Sequence, residues 1–79
     1  WLKGWLLLRY ERKPQAAYEQ FYNMYQAVRY PVSRARAAYW AGRAAEANNN
    51  REAAANWYNS AAAHATTFYG QLAHARLYG

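Results

Sequence analysis

The chain has 79 residues, four glutamates against ten lysines and arginines, no aspartate and no cysteine, and a formal charge of +6. That length admits one small domain. The missing cysteines exclude disulfide stapling, and the longest strongly apolar run, Trp5 to Leu8, is far too short to cross a bilayer.

Pro14 and the run Asn48-Asn49-Asn50 break the chain, and helices are expected at about 1–12, 14–29, 33–48, 51–64 and 67–78. Alanine, a strong helix former, occurs 19 times, and no segment alternates with a strand period. The fold expected is therefore all-α, with about five helices. Pro14 opens the second helix and Pro31 is expected to close it. In that helix Ala17, Phe21, Met24 and Val28 share one stripe, flanked by Tyr18, Tyr22 and Tyr25. Ser33 is the expected cap of the third helix, where a hydroxyl can accept from an orphan N–H. Its Ala38, Ala41, Gly42 and Ala45 form a narrow face of small residues. In the fourth helix Ala54, Tyr58 and Ala61 stack at i, i+4 and i+7. Thr66 or Thr67 can cap the fifth, and Gly79 suits its C-terminal end. Small residues on one helix facing aromatics on the next allow close approach with the gap filled.

A shift of 37 residues superposes Ala17, Phe21 and Met24 on Ala54, Tyr58 and Ala61. The same shift carries Gly4 to Ala41 and Trp5 to Gly42, which leaves Gly4 displaced by one place. A helix-turn-helix unit of this period resembles the tetratricopeptide repeat. The organisation expected is one fragment, 1–79, of antiparallel hairpins stacked as a right-handed superhelix. Residues 1–30 form a first pair, 31–65 a second, and 66–79 the first helix of a third. Trp1 as first residue and Met24 as the only methionine suit an excised or processed piece.

Two longer stretches, "RYPVSRARAAYWAGRAAEA" and "AANWYNSAAAHATTFYGQLAHARLYG", together with the opening "WLKGWLLLRY", resemble the helical superhelix of the soluble lytic murein transglycosylases. The shared features are a Ser-Arg-Ala start, a Tyr-Trp-x-Gly-Arg core, a Trp-Tyr followed by alanines, and a Thr-x-Tyr-Gly-like start to the last helix. The resemblance implies a periplasmic scaffold that helps hold peptidoglycan near a separate lysozyme-like domain. That domain cleaves the bond between N-acetylmuramic acid and N-acetylglucosamine. Its catalytic glutamate lies in a Glu-Ser motif, and no such pair occurs here, so this fragment is expected to be non-catalytic. Asn48-Asn49-Asn50 departs from the family's short Gly-containing turn, although asparagine tolerates the left-handed region better than most residues.

The residues themselves offer little chemistry. Glycoside hydrolysis commonly needs two facing acids or one of raised pKa. Glu52 falls in a first helical turn, where negative charge suits the dipole, and Glu46 is spaced for a surface pair with Arg43. His64 and His74 lack the i+4 spacing of a metal site, Ser33 and Ser60 lack a nucleophile-elbow setting, and the glycines do not cluster as a phosphate loop needs. No metal or cofactor is implied.

Binding has more to draw on. The positive balance suits anionic partners such as nucleic acid, anionic lipid or an acidic cell-wall polymer. The basic residues, however, are spread singly, as on solvated helix faces. Arg36, Trp40 and Arg43 fall on one line of the third helix, opposite the small-residue face, with Tyr39 beside them. These four are the candidate contacts for peptidoglycan, an aromatic for a sugar ring and guanidinium groups for carboxylates. The competing reading packs Trp40 on its neighbours and lets the arginines reach water. Tyr18, Tyr22 and Tyr25 pose the same choice between a stacking ladder and interhelical packing. Rival functions are a repeat module that grips a peptide or protein segment, and a basic helical-repeat RNA binder. Against the latter, the positions are unmatched between copies: Arg36 corresponds to no residue of the first copy and Tyr39 to Leu2.

Overall fold

In a computed structural model that describes residues 1–9, 12–64 and 67–78, the chain forms α1 (Leu2–Arg9), α2 (Pro14–Ala27), α3 (Pro31–Ala47), α4 (Arg51–Ala62) and α5 (Phe68–Tyr78). The described residues contain no strand, and none of their helices is long and apolar enough to cross a membrane. Successive helices pack on one another, and α3 also packs on α5.

The breaks work differently from the sequence expectation at two places. Helix α2 ends at Ala27, and Pro31 is the first residue of α3 rather than the terminator of α2. Proline lacks the N–H that would be orphaned there, and its fixed φ already matches the helix. Ser33 therefore lies inside α3 and makes no capping bond. The C-terminal carbonyls of α2 are met instead by Arg34, whose Nη1 donates to Val28 O at 3.1 Å and Tyr25 O at 3.4 Å. Helix α1 spans Leu2–Arg9, and Arg12, expected within it, is non-helical with φ 53°; residues 10–11 lie outside the described residues.

Each asparagine of the 48–50 turn has a separate task. Asn49 takes the left-handed conformation, φ 59°. Its N–H donates to Glu46 O, and that of Asn50 donates back to Ala45 O, both at 2.9 Å. This is the paired closure by which a helix ends on a left-handed residue, with asparagine where glycine is commoner. Asn50 Oδ1 accepts from Ala53 N at 3.1 Å and so caps α4, while Asn48 Nδ2 donates to Gln15 Oε1 at 2.9 Å. Thr67 caps α5, accepting from Gly70 N at 2.9 Å; Thr66 and Gly79 lie outside the described residues.

Helix α3 is the centre of the molecule. Ala35, Ala37, Ala38, Tyr39, Trp40, Ala41, Gly42, Ala44 and Ala45 are all buried, as expected of a helix enclosed on several sides. The joints between paired helices recur. A Cβ on Gly4 would stand 2.8 Å from the Phe21 ring, and one on Gly42 2.6 Å from the Tyr58 ring. Each glycine lies five residues before the end of its helix, and each ring is the eighth residue of the next. The shift of 37 thus holds for the second helices, but the glycines are 38 apart. The extra residue is in the first connection, with four positions between Arg9 and Pro14 against three between Ala47 and Arg51.

Candidate functional site

The four residues singled out from the sequence lie together on α3, but two of them are inside the molecule. Tyr39 is 5% and Trp40 6% exposed. Trp40 meets Trp5 of α1 edge-on at 5.1 Å and stacks on Phe21 of α2 at 6.2 Å. Tyr39 turns to the other flank, 5.9 Å from Tyr58 and 5.6 Å from Tyr69. The side of α3 opposite the small-residue face is therefore also covered, by α1 and α5. The arginines stand at the margins, half-buried. The Arg36 guanidinium lies 4.2 Å over the Trp1 ring. Arg43 donates to the Tyr39 hydroxyl at 3.0 Å and lies 5.6 Å from the Trp40 ring centre. Arg36 Nε and Trp40 Nε1 are buried without a hydrogen-bond partner, and Trp1, Leu2, Trp5 and Arg36 line a hollow of about 300 Å³.

A second cluster was not foreseen. Glu46 was expected to pair with Arg43 one turn away. It instead accepts from Arg76 of α5, at 2.6 Å from Nη2 and 3.3 Å from Nε, and from the Tyr58 hydroxyl of α4. This is the one ion pair among the described residues. Burial, the largest single influence, pushes the Glu46 carboxyl up. The hydrogen bonds from Tyr58 and Arg76, with the nearby charges of Arg76 and Arg43, outweigh it and hold the group below its ordinary 4.5. Tyr58 is pushed well above its ordinary value by burial and by its bond to Glu46. The Arg76 value is raised chiefly by its bond to Glu46. Held ionised, Glu46 has no proton to offer as a general acid near neutral pH. The separation of 30 residues between Glu46 and Arg76 leaves no local period by which to find the pair.

A third group lies where α2 meets α4. Trp57 Nε1 donates to the Tyr18 hydroxyl at 2.8 Å. The Trp57 ring takes edge contacts from Tyr22 at 5.9 Å and Tyr25 at 5.0 Å, and Arg34 covers Tyr25 at 4.0 Å. Tyr18 and Tyr25 are half-buried by this packing, whereas Tyr22 is 44% exposed. Packing and surface display thus divide the three tyrosines between them. Their spacing revealed the ladder, but not the tryptophan that fills it from a helix 39 residues away.

Among the described residues no three His, Cys, Asp or Glu side chains gather as a metal site. No family model, curated protein or solved structure matches the chain.

Proposed function

We propose that this chain is a non-catalytic length of tetratricopeptide-like superhelix, similar to that of the soluble lytic murein transglycosylases. Its part is to help position peptidoglycan in the periplasm for a separate lysozyme-like domain that cleaves the MurNAc–GlcNAc bond. One observation carries the reading: the residues that make the resemblance are the ones that build the interhelical joints. In the Tyr-Trp-x-Gly-Arg core, Gly42 receives the Tyr58 ring, Trp40 meets α1 and α2, and Arg43 fixes the Tyr39 hydroxyl. A motif spent on joints belongs to architecture, and architecture of this kind serves binding rather than bond cleavage.

The test is retention of the chain on purified peptidoglycan sacculi, alongside Arg36→Ala/Arg43→Ala. The wild type should be retained, and the double variant should be retained less if these two guanidinium groups meet murein carboxylates. No retention of the wild type would leave the generic peptide-gripping module as the better description. Equal retention of both would clear the arginines and direct attention to another face.

A further inference from the structure

Along the outer side of α2, two shallow hollows adjoin. One, of about 420 Å³, is lined by Gln15, Tyr18, Glu19, Tyr22 and Asn23. The other, of about 160 Å³, shares Gln15 and Tyr18 and reaches Ala45, Asn48 and Asn50 of the turn after α3. Three features of this groove point the same way. The first is an aromatic face held by its neighbours: Tyr22 is 44% exposed, and its ring meets Trp57 edge-on at 5.9 Å and Tyr18 in a tilted contact at 6.4 Å.

The second is a set of polar groups already held in place with hydrogen-bonding capacity to spare. The Tyr18 oxygen accepts from Trp57 Nε1, so its own O–H remains free to donate. Gln15 Oε1 accepts from Asn48 Nδ2, which leaves the Gln15 amide hydrogens and the Asn48 carbonyl oxygen for a ligand. The third is charge. Ten lysines and arginines are present in the chain, yet none lines either hollow. The single charged group there is Glu19, which makes no hydrogen bond or ion pair among the described residues.

A groove of this kind suits a neutral ligand with one apolar face and many hydroxyls. Nucleic acid and polyuronates, which carry an anion on every unit, are disfavoured, because the groove offers a carboxylate and no cation. A pyranose ring has the required form: its C–H face can lie on Tyr22, and its hydroxyls can donate to the Glu19 carboxylate in charge-assisted bonds. An acetamido substituent adds a carbonyl for the Tyr18 O–H or Gln15 N–H and an N–H for Asn48 Oδ1. We propose that this groove is a binding site for neutral N-acetylhexosamine oligosaccharides. The proposal rests on the murein reading for the polymer met in the cell, but not for the chemistry of the groove. It assigns the sugar contact to α2 and the 48–50 turn rather than to Arg36, Tyr39, Trp40 and Arg43.

The probe is the tetramer of N-acetylglucosamine, titrated into the 15N-labelled chain and followed by amide shifts, with cellotetraose and an oligogalacturonate as comparators. An open groove gives weak binding, with Kd on the order of 1 mM. Saturable shifts are expected within 15–23 and 48–50, weaker for cellotetraose and absent for the oligogalacturonate. Tyr22→Ala and Glu19→Ala should each weaken binding about tenfold, while Lys3→Ala, at an exposed position of α1 outside both hollows, should bind as the wild type does. If Tyr22→Ala loses helical circular dichroism, Glu19→Ala, at an exposed site, carries the test. No shifts at about ten times that Kd, shifts confined to α1 and α3, or binding unaltered by Glu19→Ala would overturn the proposal. Sacculus retention separates the two ideas. Retention without groove shifts removes the groove and leaves the murein reading, and groove shifts without retention do the reverse.

Discussion

Glu46 ties α3 to Tyr58 of α4 and Arg76 of α5, and its titration gives the molecule an acid sensitivity of definite sign. Its folded pKa lies below the ordinary 4.5, so the stabilisation is fully present above that value and is lost as pH falls through the lower folded one. Glu46→Gln should lower the melting temperature at neutral pH and flatten its decline in acid. Melting curves taken from about pH 7 to about pH 2 would show both effects, and parallel acid limbs for the two proteins would be the contrary result. Gly42 is tested sterically. The Tyr58 ring that fills its place is 3% exposed and bonded to Glu46, so it cannot swing aside from a new methyl. Gly42→Ala is expected to cost about 1–3 kcal/mol in chemical denaturation. Paired with Tyr58→Leu, which shortens the opposing side chain, the two costs should fail to add.

At the scale of the element, the 48–50 turn separates backbone demand from side-chain demand. Asn49→Gly should be tolerated, whereas Asn49→Val should destabilise by about 1–2 kcal/mol, because a branched side chain resists the left-handed region. Asn50→Ala removes the cap of α4 and should cost about 1 kcal/mol; thermal melts of the three variants check both statements. The helices themselves were legible from the sequence because their signals are local: proline at a first turn, asparagines at a break, alanines at helical spacing. The start of α3 was misjudged because Pro31 can end one helix or begin another, and only the Arg34 contacts at the end of α2 decide between these. The candidate face on α3 was legible as a line of residues but not as a surface. Its covering side chains, Trp5, Tyr58 and Tyr69, come from other helices, and contacts between helices leave no period within one.

For the molecule as a whole, Trp40 is the side chain on which α1, α2 and α3 converge. A chain of this length typically has a total stability of about 4–12 kcal/mol, and a buried tryptophan cut to alanine typically costs about 3–5 kcal/mol. Trp40→Ala should therefore shift the denaturant midpoint of every helix together, and a variant that lost only α1 would contradict the shared core. The unequal connections bear on how the architecture tolerates change. Because each hairpin takes its own alignment from a glycine seated under a ring, a residue gained or lost between the helices need not rotate either one. Replacing the four residues between Arg9 and Pro14 with three asparagines should leave both seats intact, as thermal melts and the circular dichroism of the variant would show. Length variation in such a molecule would then collect in its links, while the spacing from each seat to its helix end stayed constant.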